Sequence, residues 1–178
     1  MNKIIVIMIT LLGITSCSRS LYTRSSSNLY ETFYRGGIGT QYFIKPLEFY
    51  GSEKDEFILA DFTFVTDNKL KEKDSVFLNF TLQTKDIVRQ IDALIIQNST
   101  LKTGSMSSLE KFFLKKKKDY FVIRYTTKIS LVEAKQLFGD SHWSISTSID
   151  GSTLSYAPSK KNQRKINSIY ENVFFLID

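Results

Sequence analysis

The stretch FILADFTFVT, residues 57–66, decides the class of fold. Alternate positions of an extended chain place four apolar side chains on one face: Ile58, Ala60, Phe62 and Phe64. Asp61 and Thr63 fall on the opposite face. Because successive side chains of a strand point to opposite faces, this alternation predicts a half-buried β-strand.

The same two-residue period recurs on both sides of this stretch. Further alternating segments cover residues 43–49, 76–82, 87–97, 121–129, 143–149 and 153–156. Pro46 lacks an amide donor and therefore predicts an edge strand or a bulge. Asp150 and Gly151 separate the last two segments and favour the tight turn of a β-hairpin. Together the segments predict a mainly β fold, an antiparallel β-sandwich or strongly bent sheet of about seven strands.

Three segments have the helical period instead. Ser107 and Glu110 have the spacing of a helix capping box, and so do Ser130 and Glu133. Residues 165–177 carry apolar side chains at the spacing of one helix face: Ile166, Ile169, Tyr170, Val173, Phe174 and Ile177. We therefore expect one to three short helices, including a C-terminal amphipathic helix.

Composition restricts the chemistry that the chain can perform. Its 178 residues suffice for about one domain, and 42% of them are hydrophobic against 24% charged. Aromatic residues make up 13%, a share that favours sheet over helix. A single Cys and a single His leave no disulfide framework and no Cys/His zinc site. We expect neither a metal nor a cofactor.

The N-terminus, MNKIIVIMITLLGITSCSRS, has the pattern of an export signal. Lys3 precedes an apolar run over residues 4–14, which as a helix would span only ~16 Å, too short to cross a membrane. The run ends in Ile14-Thr15-Ser16-Cys17, which resembles the lipobox of bacterial lipoproteins. An ordinary secretory signal, with Cys17 incidental, is the alternative. The lipobox interpretation is favoured because a lone Cys in an exported chain has no disulfide partner.

This resemblance implies that signal peptidase II cleaves before Cys17 once the thiol carries a diacylglycerol. Residues 1–16 would be the removed signal peptide, 17–39 the lipidated Cys with a flexible tether, and 40–178 a single β-rich globular domain. The protein would then lie in the cell envelope, lipid-anchored to a bacterial membrane. Ser18 rather than Asp follows the Cys, which in enteric lipoproteins favours the outer membrane over the inner.

The sequence predicts no catalytic residue. Ser141 precedes His142, and neighbours on a strand would point to opposite faces, which makes a poor catalytic dyad. Asp61 and Asp92 interrupt apolar strands, as residues on a solvent-facing side do. We therefore expect a non-catalytic protein that binds or scaffolds another envelope component. An exported carboxylate-dependent hydrolase and a carrier of a small apolar ligand remain as alternatives.

Basic residues concentrate in two clusters. One lies at the end of the helix expected after Ser107 and comprises Lys115, Lys116, Lys117 and Lys118. The other lies just before the last helix and comprises Lys160, Lys161, Arg164 and Lys165. Because the chain carries a secretion signal, we expect no nucleic-acid partner despite the net charge of +6. The expected partners are the membrane, through the lipid anchor, and either another envelope protein or an anionic envelope surface. A solvated basic face is the simpler alternative.

Overall fold

The computed structural model describes residues 24–52, 55–66, 75–88, 90–103, 106 and 108–177. Within these residues the strands are β1 (Arg24–Ser26), β2 (Tyr30–Tyr34), β3 (Thr40–Tyr50), β4 (Phe57–Thr66), β5 (Ser75–Thr84), β6 (Ala93–Gln97), β7 (Glu110–Lys117), β8 (Tyr120–Ser130), β9 (Ser144–Ile149) and β10 (Ser152–Pro158). The helices are α1 (Leu131–Phe138) and α2 (Lys160–Asn172), with short 3-10 helices at Gly36–Ile38 and Phe174–Leu176.

All these strands belong to one curled antiparallel sheet, which confirms the predicted class of fold. Its order is β6-β9-β10-β3-β4-β5-β8-β7, and β1 and β2 add to the first half of β3. The described residues hold ten strands where the sequence predicted about seven. The three additional strands are β1 and β2, in the segment assigned to the tether, and β7, expected to be a helix.

Pro46 produces the irregularity that the sequence predicts. The register between β3 and β4 shifts between Ile44 and Leu47, so Pro46 lies in a bulge. A bulge inserts residues into one strand and changes which side chains share a face. Ile44, Leu47 and Phe49 are consequently all buried, although the first two are three residues apart.

The folded domain extends into the segment that the sequence assigned to the tether. β2 pairs with residues 40–44 of β3, and β1 pairs with β2. A hydrogen bond stabilises the turn between β1 and β2, because Lys45 Nζ donates to the Ser27 carbonyl at 2.7 Å. Residues 24–34 are thus part of the sheet, and residues 17–23 lie outside the described part of the chain.

One predicted strand is shorter than its pattern suggests. The alternation covers residues 87–97, but β6 begins only at Ala93. The preceding residues still pack on the sheet, because the Ile91 N–H donates a 3.1 Å hydrogen bond to the Tyr125 hydroxyl. The buried residues Val88 and Ile91 are three positions apart, and burial alternates only within β6, at Leu94 and Ile96.

Helix α1 begins at the predicted capping box. The Ser130 hydroxyl accepts the Glu133 N–H at 3.1 Å, and the Glu133 carboxylate accepts the Ser130 N–H at 2.8 Å. Both bonds satisfy amide groups that the first turn of a helix leaves unpaired. The helix buries its apolar face, formed by Leu131, Ala134, Leu137 and Phe138.

The C-terminal amphipathic helix is present, but it begins five residues before the predicted start at residue 165. The Ser159 hydroxyl caps it by accepting the Asn162 N–H at 3.3 Å. Regular helix ends at Asn172, and the short 3-10 helix follows. The predicted face is buried at Ile166, Ile169, Val173, Phe174 and Ile177.

Aromatic side chains join the sheet to the helices in the core. The Trp143 ring centroid lies 4.5 Å from that of Phe49 and 5.8 Å from that of Phe138. Phe138 stacks in turn on Phe174 at 4.6 Å. Burying each such side chain contributes about 1.5–3 kcal/mol, so this contact chain is a main source of stability on the inner face.

Candidate functional site

Strand β7 is an edge strand that is exposed along its whole length. It pairs with β8 on one side, and among the described residues it pairs with no strand on the other. Every residue from Glu110 to Lys117 is exposed, and Phe112 keeps 55% of its surface. We call residues 112–118 the basic edge, and it contains the first of the two predicted basic clusters.

The prediction of a helix after Ser107 is wrong. Glu110 pairs with Thr126 of β8, and the ladder continues to Lys117 opposite Tyr120. The first basic cluster therefore does not neutralise a helix end. Its four lysines lie along a strand and the turn that follows it: Lys115, Lys116, Lys117 and Lys118. Ser107 itself lies outside the described residues.

The pairing register divides the basic edge between two faces. Leu114 pairs with the buried Ile123 and so lies on the inner face, as does Lys116 two residues later. The Lys116 ammonium lies 5.9 Å from the centroid of the Phe121 ring, within cation–π range. The opposite face carries Phe113, Lys115 and Lys117. Among the described residues, no carboxylate lies within ion-pair distance of these lysines.

The register also shows which backbone groups of β7 are free. Lys117 pairs with Tyr120 across the two-residue turn 118–119. Because adjacent residues 118 and 119 cannot bond to each other, the ladder bonds must join Lys117 and Tyr120 themselves. Bonded and non-bonded pairs alternate in an antiparallel ladder. The N–H and C=O groups that point away from β8 in this part of the strand are therefore those of Leu114 and Lys116.

The second basic cluster lies within a helix, and not before it as predicted. Lys160, Lys161, Arg164 and Lys165 occupy the first two turns of α2, and no acidic residue lies in its first turn. Cations at a helix N-terminus are opposed by the helix dipole. α2 contacts β3 and β10, whereas β7 lies four strands from β3 in the sheet order. The first cluster thus lies on an edge strand and its turn, and the second lies on a helix.

The predicted lipidation site, Cys17, lies outside the described residues. The lipobox and the signal peptide before it lie outside them as well. Among the residues that are described, no helix has both the length and the apolar composition to cross a membrane.

His142 and its neighbours form a polar loop after α1. His142 Nδ1 lies 3.2 Å from an Asp140 carboxylate oxygen and 3.4 Å from the Ser141 hydroxyl. The expectation that Ser141 and His142 point apart is therefore wrong, because they lie in a turn. A hydrolytic triad places its carboxylate and its hydroxyl on opposite ring nitrogens, whereas both contacts here involve Nδ1. Hydrogen bonds from the Ser99 hydroxyl and then from the His142 amide lower the pKa of Asp140 to about 2.

The two aspartates that interrupt apolar strands have different surroundings. Asp61 lies on the outer face of β4, where it accepts hydrogen bonds from Arg124 at 2.8 Å and from Asn79 at 2.9 Å. Asp92 is exposed just before β6, beside Ile91, whose N–H bonds the Tyr125 hydroxyl. In the described part of the chain, no three Asp, Glu, His or Cys side chains are grouped so that they could hold a metal ion.

Two open depressions flank Phe77 on the outer face. One has a volume of about 360 Å³ and includes Arg35, Gln41 and Ser75 in its lining. The other has about 200 Å³ and is lined by Phe77 with Ser108, Glu110, Thr126, Thr127 and Lys128. Both are half open and lined by polar as well as apolar groups. Neither resembles the enclosed, phenylalanine-lined cavity that a carrier of an apolar ligand requires.

Comparison of the chain with protein-family models, with curated proteins and with solved structures found no match. The feature that sequence reasoning missed is the free backbone edge of β7. Its signal is the contiguous apolar run Phe112-Phe113-Leu114 beside four lysines, which neither a buried strand nor an amphipathic helix explains well.

Proposed function

We propose that the protein is a non-catalytic, lipid-anchored protein of the bacterial cell envelope that binds an acidic envelope component through the basic edge. The observation that carries the proposal is the exposed cationic and aromatic strand at the free margin of the sheet. Contiguous exposed apolar groups that are rimmed by polar ones are typical of interaction surfaces.

Charge supports an acidic partner. Four consecutive lysines repel one another, and no carboxylate in the described residues neutralises them. Each cation near an acidic surface contributes about 1 kcal/mol, so the four together could contribute ~4 kcal/mol. Such an interaction is screened by salt, so the proposal predicts salt-sensitive binding.

The exposed apolar side chains support a contact that is more than electrostatic. Phe112 is 55% exposed, and Phe113 and Leu114 are each 43% exposed. Aromatic residues are enriched at protein interfaces because they add buried apolar area, while complementary charge adds specificity and speeds association. A partner that covers this strand would remove the three side chains from water.

The anchor would keep the domain close to the membrane. Six residues lie between Cys17 and Arg24, where β1 begins, so the fully extended distance from Cys17 to Arg24 is at most ~25 Å. The partner is therefore expected in or near the membrane that holds the lipid. Cys17→Ala tests the anchor: we expect loss of acyl labelling and release from the membrane fraction. Unchanged retention of this variant in membranes would contradict the anchor.

Charge reversal tests the binding surface. One variant replaces Lys115, Lys116, Lys117 and Lys118 by Glu. The matched control replaces Lys160, Lys161, Arg164 and Lys165 by Glu, which changes the net charge by the same amount. Both variants are made in a Cys17→Ala background, so that no acyl chain inserts into the membrane, and their binding to envelope membranes from a strain lacking the chain is compared at low and high salt, with thermal unfolding as a check on folding.

At low salt we expect the basic-edge variant to lose about a thousandfold in affinity, the equivalent of ~4 kcal/mol, and the control about threefold or less. Equal losses in both variants would show that net charge, and not the basic edge, is responsible. Unchanged binding of the basic-edge variant would make this cluster a solvated face.

A further inference from the structure

We propose that the free edge of β7 takes up an acidic, extended segment of a partner protein as an additional strand. The inference rests on the proposed function and specifies both the class of partner and the mode of binding. Strand addition supplies affinity through main-chain hydrogen bonds and specificity through alternate side chains.

The main-chain groups needed for this mode are in place. Leu114 and Lys116 direct their N–H and C=O groups away from β8, as the register across the 118–119 turn requires. Two residues with both groups free offer four hydrogen bonds to an incoming strand. The bulge at Phe112 interrupts the ladder, so the regular edge runs from Phe113 to Lys117, a length of ~17 Å.

The opposite margin of the sheet is covered, in contrast to β7. Leu94 of β6 exchanges backbone hydrogen bonds of 3.1 and 2.9 Å with Met106. The Thr103 hydroxyl accepts the Ile96 N–H at 2.9 Å. Other residues of the same chain thus bond to backbone groups at the β6 edge. Among the described residues, no segment covers the β7 edge in this way.

Charge distinguishes between a second copy of this chain and an acidic strand of another protein as the occupant of the β7 edge. Lysines on an edge strand oppose pairing with another edge, and two copies joined through β7 would place lysine runs side by side. A strand that adds here must neutralise them, so it must be acidic. Since Lys115 and Lys117 share one face with Phe113, the acidic side chains are expected on that face. Apolar side chains are then expected opposite Leu114, on the inner face.

The probe is a capped eight-residue peptide that alternates Glu and Val, tested with the full mature chain in detergent. Amide hydrogen exchange measured by NMR reports the free edge directly. Upon binding, we expect exchange of the Leu114 and Lys116 amides to slow by about tenfold or more. A peptide of the same sequence, N-methylated at alternate residues on its bonding edge, should not slow it. If the unmodified peptide fails to slow these two amides, the inference is wrong.

Leu114→Pro separates strand addition from charge. Proline removes one edge-facing N–H without changing the charge, and it is tolerated on the free side of an edge strand. We expect affinity for the peptide to fall about tenfold, against about twofold for Leu114→Ala, which keeps the N–H. Thermal unfolding shows whether the proline variant is folded, and the N-methylated peptide gives the same test on the unaltered chain.

The outcomes distinguish this inference from the proposed function. If charge reversal abolishes binding while Leu114→Pro and the N-methylated peptide bind normally, the basic edge binds by charge alone and strand addition is wrong. If phosphatidylglycerol vesicles bind to the basic edge and the peptide does not, the partner is a lipid surface, and the inference is likewise overturned. Strand addition requires that both backbone perturbations weaken binding.

Discussion

Asp140 should confer a pH-dependent part of the stability, because it ties two loops together. One carboxylate oxygen accepts the Ser99 hydroxyl at 2.6 Å and the Ser99 N–H at 3.2 Å. The other accepts the His142 N–H at 2.8 Å. Nearby, the Asn98 side chain donates to the Gln136 carbonyl at 2.8 Å at the end of α1. Asp140 thus joins the loop after β6 to the loop after α1.

The magnitude follows from the lowered pKa. These hydrogen bonds favour the ionised carboxylate and lower the pKa of Asp140 from 3.8 to about 2. Each pKa unit corresponds to about 1.4 kcal/mol, so the upper bound is ~2.4 kcal/mol. Because the side chain is 20% exposed, solvent screening reduces this to about 1–2 kcal/mol. The contribution is complete well above pH 3.8 and is lost as the pH falls toward 2.

Asp140→Asn tests this by thermal unfolding, followed by circular dichroism between pH 2 and 7. At pH 7 we expect the variant to unfold about 3–6 °C below the unaltered protein, and the gap should close as the pH approaches 2. Asp150→Asn is the control, since Asp150 is exposed and its φ of 48° suits Asn equally well. A gap that is the same at both ends of the pH range would show that the ionised carboxylate is not its source.

Three further substitutions test the fold by chemical denaturation. Ser130→Ala removes the cap of α1 and should lower the free energy of unfolding by about 1 kcal/mol; no change would mean that the capping box does not stabilise this helix. Asp61→Ala should cost about 1–3 kcal/mol because it removes the carboxylate partner of the part-buried Arg124, and adding Arg124→Met should restore part of the loss; additive losses would exclude coupling. Phe138→Ala should cost about 3–5 kcal/mol, against about 0.5 kcal/mol or less for Phe112→Ala; similar costs would contradict the assigned burial.

The strands that alternate apolar and polar residues could be predicted from the sequence because the sheet buries one face. In β4 and β5, burial switches at nearly every residue, so the period is visible without knowledge of neighbouring strands. The Asp150-Gly151 turn could also be predicted from the sequence, since both residues adopt the positive φ angles that this dipeptide favours. The capping box at Ser130 was predicted correctly because its helix also has an apolar face to bury.

The prediction of a helix from the capping box at Ser107 failed because pairing with β8 outweighs the local helix signal. A four-residue cap stabilises one helical turn, and a short helix persists only if tertiary packing supports it. The turn that closes the β7–β8 hairpin also lacked a recognisable sequence. Lys118 adopts a φ of 55° without being glycine or asparagine, so the dipeptide Lys118-Asp119 did not indicate a hairpin.

The candidate site could not be predicted because alternation indicates which face a residue takes and not which strand lies beside it. Whether β7 is an edge depends on the order of the whole sheet, and that order joins strands far apart in sequence. The effect of the lysine run on strand pairing depends on whether its strand is an inner strand or an edge strand. On an inner strand it would be incompatible with burial, whereas on an edge it opposes pairing with neutral or basic strands. The same charges that protect the edge from aggregation therefore select an acidic strand as the one that can pair there.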